Sequence, residues 1–198
     1  MIVLDVETSG LSPENNSIMS VGAVDFSNPT RQFYEECRVW DNAQVSLGAL
    51  HVNGFKMEDA YDPNKKTLNK VMNLFQEWTR NIEDITIAGE NPDFDRNFLS
   101  SSFVKAGLEW CFGHRVIDLH SLSYAHMCKK GANLPLNKNR IGISLDVTLN
   151  YVGLPSEPKP HNALTGAKME AEAFSRIIYG KLLLDEFKKY GVPEYLIQ

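Results

Sequence analysis

The sequence predicts an α/β protein built around a mixed sheet, and three observations support this fold class. An apolar strand pattern opens the chain at residues 2–6, and two further strand patterns follow it. Amphipathic helical patterns then alternate with short apolar strands, and a long helical pattern covers roughly residues 162–179. This order of elements is typical of helices packed on a sheet with both antiparallel and parallel neighbours.

The first three strands are expected at residues 2–6, 17–26 and 31–40. The tetrapeptide SNPT between the second and third strands is a hairpin-type turn, so these strands should form a meander. Beyond them, apolar side chains recur at spacings of three and four over residues 68–82, which predicts an amphipathic helix.

Strands and helices should alternate in the second half of the chain. Pro92 in a first turn and Gly107 as a stop predict a helix at residues 92–107. The other expected elements are strands at 84–90 and 115–119, and helices at 120–129, 144–153 and 162–179. No repeat or linker interrupts this order, so residues 1–198 are expected to form a single domain.

Composition limits the functions that the chain can have. A net charge of −5 argues against nucleic-acid coating driven by positive charge, although bound divalent cations can neutralise acids locally. Cys37, Cys111 and Cys128 have no paired spacing and suit a reducing compartment. No apolar run reaches the length of a membrane span, and the opening strand leaves no room for a signal peptide. The expectation is a soluble cytoplasmic protein without a membrane partner.

Acids and one histidine stand out at three places. Asp5 and Glu7 end the first strand on the same face, where their charges would repel unless something positive lies between them. Asp95 lies in a helix start that follows a strand, and His161 precedes the last helix. Carboxylates bind Mg²⁺ or Mn²⁺, and a nearby imidazole can take a proton from water, as metal-assisted phosphoester hydrolysis requires. Alternatively, Asp95 pairs with Arg96, and His161 is merely exposed.

Ordered motifs make the interpretation more specific. The segments LDVETSGL, ENPDFDRNFL, SLDVTLNYVGL and HNAL resemble the motifs of the DEDDh (DnaQ-like) 3'-5' exonucleases. That family includes the proofreading subunit of bacterial DNA polymerase III, RNase T and oligoribonuclease. The resemblance implies an RNase H-like three-layer fold, with a mixed five-stranded sheet flanked by helices and the first three strands antiparallel.

The resemblance also assigns roles to residues. It implies that Asp5 and Glu7 bind metal, that Asp95 holds a second ion directly or through water, and that His161 is the general base. Two ions, Mg²⁺ or Mn²⁺, are expected. The backbone near Thr8 and the side chain of Leu11 would contact the terminal nucleotide of a single-stranded 3' end.

One position departs from the family pattern. The last acid should lie five residues after His161, where this chain has Gly166. Either the site is weakened, or Glu170 substitutes from one turn further along the same helical face, with an engineered change as a third explanation. Glycine at 166 would leave room for that side chain. Glu172 should point elsewhere, since it is about 160° around the helix from Glu170's face at 100° per residue.

The predicted function is therefore a metal-dependent 3'-5' exonuclease of DNA or RNA that releases nucleoside monophosphates. The alternative is a catalytically weakened nucleic-acid-binding or accessory protein, which Gly166 favours. The basic loop at residues 129–140 could meet backbone phosphates, or it could simply be solvated. Analogy with relatives suggests a homodimer, and the apolar residues near the end of the chain suggest a polymerase partner.

Overall fold

A computed structural model of the chain describes residues 1–197 and contains the expected mixed five-stranded sheet, in the order β3-β2-β1-β4-β5. The central strand β1 (Ile2–Thr8) pairs antiparallel with β2 (Ile18–Asp25) and parallel with β4 (Ile87–Gly89). The edges are β3 (Gln32–Glu36), antiparallel to β2, and β5 (Ile117–Asp118), parallel to β4. The predicted meander is confirmed.

Seven α-helices and two short 3-10 turns accompany the sheet within residues 1–197. The helices are α1 (Leu47–Asn53), α2 (Met57–Tyr61), α3 (Leu68–Thr79), α4 (Pro92–Ala106), α5 (Leu119–Lys129), α6 (Leu145–Tyr151) and α7 (Ala163–Tyr179). The 3-10 turns are Asp185–Phe187 and Glu194–Leu196. None of the helices in the described part of the chain is both long and apolar enough to cross a membrane.

Several elements differ from the sequence-based expectation. Helices α1 and α2 were not predicted, because seven and five residues are too few to establish a helical period. Strand β5 has two residues rather than five. The basic loop contains a small hairpin of β6 (Leu136–Asn137) and β7 (Arg140–Ile141), with both strands exposed.

The two faces of the sheet bury two separate hydrophobic clusters. On one face, Ile2, Leu4 and Val6 of β1 pack with the apolar sides of α3 and α4. On the other face, Val3 packs with α7 and its neighbours α5 and α6. Strand side chains alternate between faces, so Asp5 and Glu7 share the α7 side of β1.

A glycine in β2 lets α7 approach the sheet closely. Gly22 is the register partner of Asp5, and the backbone of Ala163 lies directly over it. A Cβ at position 22 would lie 2.1 Å from the Ala163 carbonyl carbon, so any larger residue would push the helix away. This contact brings the beginning of α7 close to the acids of β1.

A buried ion pair connects α7 to the segment that follows it. Glu172 accepts a hydrogen bond from Arg176 Nε at 2.7 Å, and both side chains are fully buried. Arg176 also donates to the backbone carbonyls of Val152 (2.9 Å) and Tyr190 (2.8 Å). Glu172 therefore points away from the acids of β1, as its helical position predicted.

Candidate active site

An acidic cleft of about 280 Å³ opens where β1 and β4 end and α7 begins. Six carboxylates and one imidazole line it, and no lysine or arginine is among its lining residues within the described chain. These seven residues are Asp5, Glu7, Glu90, Asp95, Glu157, His161 and Glu170. The cleft therefore gathers every metal-site and general-base residue that the sequence analysis selected.

The two acids of β1 are strongly affected by this environment. Burial raises the pKa of Asp5 well above its usual value, and the charges of Asp95, Glu7 and Glu157 raise it further. Burial and then the charge of Glu157 raise the pKa of Glu7 to about 7. These shifts arise because adjacent carboxylates, removed from water and without a nearby cation, resist ionisation together.

Asp95 enters the cleft from the first turn of α4. Its Oδ1 accepts a hydrogen bond from the Val6 amide at 3.0 Å, which fixes the carboxyl group beside β1. Asp93 instead is exposed and pairs with Arg96 at 3.0 Å. Asp95 is therefore not an ordinary surface partner of Arg96, whereas Asp93 is.

His161 enters from the connector that precedes α7. Its backbone N–H donates to Val52 O at 3.1 Å, and about a third of its side chain is exposed to the cleft. The next residue, Asn162, caps α7 by accepting from the Thr165 amide at 3.1 Å, and its Nδ2 donates to Tyr34 Oη at 3.0 Å. His161 is thus held at the cleft by its own backbone N–H and by the side-chain contacts of the next residue.

Gly166 lies directly against the acids of the cleft. A Cβ at this position would lie 2.1 Å from Asp5 Oδ2 and 3.4 Å from Glu157 Oε1. The absent side chain therefore leaves a space that carboxylate oxygens border. Glu170 does not provide any of the three nearest atoms around that space.

Glu170 lies deeper, toward β4. Its Oε2 accepts a hydrogen bond from the Glu90 amide at 3.1 Å, and the side chain is buried. Burial and then the charges of Asp5 and Asp95 raise its pKa well above the usual value. Gly89 makes room for it, since a Cβ there would lie 3.1 Å from Glu170 Oε2.

Sequence reasoning missed Glu157. It belongs to a proline-rich connector outside every matched motif, although it lies one helical turn's spacing before His161. Its side chain is 7% exposed, and its Oε1 has no hydrogen-bond partner within residues 1–197. Its Oε2 lies 3.6 Å from His161 Nδ1. The spacing to the histidine was the available signal.

Of the two predicted nucleotide-contacting residues, Thr8 ends β1 and Leu11 follows it in the next segment, and neither lines the acidic cleft. Thr8 is buried, and its Oγ1 donates to Gly10 O at 2.7 Å. Leu11 is 84% exposed and borders a second cavity, lined in part by Val45 and Val52. An exposed leucine beside an apolar hollow is suited to contact a flat ring.

The donor set suits hard divalent cations, although the side chains are not yet gathered around one. Among residues 1–197, no three Asp, Glu, His or Cys side chains converge as a preformed metal cage. Carboxylates that repel one another are expected to spread apart when no ion is between them. The buried, unpartnered Oε1 of Glu157 is an oxygen that such an ion would satisfy.

Comparison with known proteins places this geometry in a family. The family described as "3'-5' exoribonuclease Rv2179c-like domain" matches residues 1–178. The chain is 26% identical to the Escherichia coli 3'-5' DNA exonuclease Cap18, over 89% of this chain and 90% of that protein. It is 27% identical to the PolC-type DNA polymerase III of Thermotoga maritima, over 98% of this chain but only 12% of the polymerase.

Solved structures share the fold at lower identity. The nuclease domain of 3'hExo, a DEDDh family member bound to rAMP, superposes with a TM-score of 0.67 at 17% identity, covering 98% of this chain and 95% of that one. Escherichia coli exonuclease I in complex with a dA16 oligonucleotide also gives 0.67, at 16% identity, covering 88% of this chain and 40% of that one.

The mixed sheet with an acidic cleft at the end of its central strand defines a DnaQ-like exonuclease class of fold. The chain belongs to the Rv2179c-like 3'-5' exoribonuclease domain family, which accounts for nine-tenths of its length. The predicted DEDDh relationship and the RNase H-like fold are confirmed at this level.

Proposed function

We propose that the protein is a metal-dependent 3'-5' exonuclease that removes nucleotides from single-stranded ends. The observation that carries this proposal is the cleft in which six carboxylates face one imidazole without a lysine or arginine among the lining residues. Six acids in one partly buried site cannot all ionise without counter-charge. Divalent cations would supply that charge and would recruit a phosphodiester.

Asp5, Glu7 and Asp95 would hold the ions, which we expect to be two, Mg²⁺ or Mn²⁺. When bound, such ions activate water and stabilise the charge that develops on the phosphate. The chain's own contribution is to fix the ligands. Asp5 and Glu7 project from the rigid central strand, and Asp95 is held by the Val6 amide.

His161 would act as the general base. It is the one basic side chain among the residues that line the cleft, and its partial exposure leaves the ring accessible to water and substrate. A neutral imidazole can accept a proton at neutral pH, where general bases contribute about 10²–10⁴-fold to rates. Thr8 and Leu11 would contact the terminal nucleotide, the leucine through its exposed side chain.

Glu170 stays a candidate for the fourth acid. Support for it is its burial close to Asp5 and Asp95. One of its oxygens accepts a hydrogen bond from the Glu90 amide, which leaves its remaining lone pairs for an ion.

The related proteins support both nucleic acids as substrates. Cap18 is described as a DNA exonuclease, the family as exoribonucleases, and 3'hExo was solved with rAMP. A net charge of −5 favours a short single-stranded end over a long duplex. The similarity to a segment of PolC-type polymerases is compatible with a polymerase partner, and a homodimer stays a prediction.

The test uses oligonucleotides labelled at the 5' end, one of DNA and one of RNA, with Mn²⁺ or Mg²⁺. The wild-type protein should shorten at least one of them stepwise from the 3' end. His161→Ala should lower the rate about 10²–10⁴-fold without changing thermal unfolding. His114→Ala, at an exposed site outside the cleft, is the matched control and should cleave normally.

The alternative that Gly166 favours, a binding module without hydrolysis, has a distinct result. No cleavage with any divalent metal, together with oligonucleotide affinity that persists in EDTA, would reject the exonuclease and support the binding module.

A further inference from the structure

We propose that Glu157 supplies the carboxylate that position 166 lacks, and so completes the metal site of Asp5 and Glu7 from the connector ahead of α7. This inference rests on the metal-dependent function proposed above. It assigns a ligand role to a residue outside the motif pattern, at a position where the family pattern has none.

The first support is position. Glu157 Oε1 lies 3.4 Å from the point where a Cβ on Gly166 would be. An aspartate carboxyl carbon lies one carbon–carbon bond, about 1.5 Å, beyond its Cβ. The Glu157 oxygen therefore borders the space that an aspartate carboxyl group at 166 would occupy. Asp5 Oδ2 borders the same space, at 2.1 Å from that Cβ position.

The second support is an unsatisfied oxygen. The Glu157 side chain is 93% buried, and its Oε1 makes no hydrogen bond within residues 1–197. Leaving a buried polar atom unpaired is unfavourable, and more so when it is charged. The connector nevertheless holds it there, since the Glu157 amide donates to Asp146 Oδ1 at 3.1 Å. A ligand that arrives with positive charge explains why the oxygen faces the cleft.

The comparison with Glu170 favours Glu157. Glu170 Oε2 is bonded to the Glu90 amide, and the side chain lies toward β4. Glu157 has no such backbone donor on its side chain within residues 1–197, and it lines the same cleft as Asp5 and Glu7.

A competing role for Glu157 is to orient His161. Its Oε2 lies 3.6 Å from His161 Nδ1, which is too long for a good hydrogen bond. That contact uses only one of the two oxygens, and Oε1 is directed to the space beside Gly166. An orienting residue would change the pH profile of cleavage and leave metal affinity unaltered, so the two roles can be separated.

The experiment titrates Mn²⁺ into the full chain by isothermal calorimetry and records thermal unfolding with and without Mn²⁺. Glu157→Gln keeps size and removes charge. We expect at least about tenfold weaker Mn²⁺ affinity, a magnitude that changes at metal sites often reach. Without metal, the variant should melt at or above the wild-type temperature, because a repelling charge is gone, and Mn²⁺ should raise that temperature less than in the wild type.

Matched variants make the result specific. Glu14→Gln changes an exposed acid and should bind Mn²⁺ as the wild type does. Glu170→Gln should weaken binding less than Glu157→Gln does. Glu157→Ala removes the same carboxylate by a second substitution, and its metal-free melting curve shows whether the fold is intact.

Wild-type Mn²⁺ affinity in both folded Glu157 variants would overturn the inference, and an altered pH profile with that affinity would identify a positioning residue for His161 instead. A larger loss in Glu170→Gln would likewise overturn it. If the wild type cleaves while the Glu157 variants bind Mn²⁺ normally, only this inference fails. If the wild type neither binds Mn²⁺ nor cleaves, the proposed function fails with it.

Discussion

Helix α7 carries two buried glutamates, two residues apart, in opposite electrostatic situations. Glu172 is fully satisfied: it receives Arg176 Nε at 2.7 Å and the amides of Leu183 and Leu184 at 2.9 Å each. Glu170 faces other acids, and its only hydrogen bond among the described residues comes from the Glu90 amide. The same residue type on one helix therefore serves two purposes.

The difference shows how a fold separates stability from chemistry. Around Glu172, each charged group has a partner, and the pair connects α7 to the segment that follows it. Around Glu170, acids accumulate without a cation among the residues that line the cleft. Such an imbalance lowers the stability of the metal-free protein and prepares a site for cations, as is typical of functional sites with strongly shifted pKa values.

The largest expected effect is the loss of stability when the buried pair of Glu172 and Arg176 is broken. Glu172→Ala leaves the Arg176 guanidinium buried without its carboxylate, and loss of one partner of a buried pair costs about 3–5 kcal/mol. The free energy of unfolding, measured by urea denaturation, should fall by that amount. Glu186→Ala is the control: it removes the partly exposed pair with Lys168 at 3.1 Å and should cost no more than about 1 kcal/mol. Equal losses in the two variants would contradict the comparison.

A second change disturbs the acidic region without altering any charge. In Gly166→Ala, the new Cβ would lie 2.1 Å from Asp5 Oδ2, so the Asp5 carboxylate must move. A displacement of that kind should lower the cleavage rate about 10²-fold. Alanine also favours the helix by roughly 0.5–1 kcal/mol, so stability should not fall in parallel.

Gly113→Ala is the control for that change, because nothing lies within 4 Å of a Cβ at position 113. It should leave both the rate and the melting temperature unaltered. An unchanged rate in Gly166→Ala would show that the space beside Asp5 has no catalytic importance.

The smallest effect is the pH dependence of the metal-free protein. The pKa of Glu7 rises from 4.5 to about 7 on folding, so the folded state holds this proton more tightly than the unfolded state. The resulting stability is present below about pH 4.5 and is lost as the pH rises through about 7, on the order of 2 kcal/mol. Urea denaturation in EDTA at several pH values should show this decline, and Glu7→Gln should make it less steep, since the other acids of the cleft still contribute. If the free energy of unfolding increased between pH 5 and 7 instead, the raised pKa of Glu7 in the folded protein would be contradicted.

Much of the fold was predictable because its signals are local. The apolar alternation of β1 and the helical period of Leu68, Val71, Met72 and Phe75 reflect burial directly, and these side chains lie in one core cluster. Helices α1 and α2 were missed because their burial depends on tertiary contacts that few residues make, such as the hydrogen bond that Asn53 Nδ2 donates to Thr8 O at 3.0 Å.

The site was predictable only in part, for a related reason. Asp5, Glu7, Asp95 and His161 lie in motifs with a fixed spacing along the chain. Glu157 lies in an irregular connector, where no period connects sequence position to direction. Its approach to Gly166 depends on how that connector crosses the cleft, which only the folded chain reveals.

Gly22 has no functional group, yet its missing side chain determines how closely the beginning of α7 approaches the acids of β1. Because the Ala163 backbone rests on it, the imidazole and the acids of β1 share one cleft through the absence of a methyl group on the neighbouring strand. A redesign of this scaffold for other chemistry could exchange its carboxylates, but it would have to keep glycine at position 22.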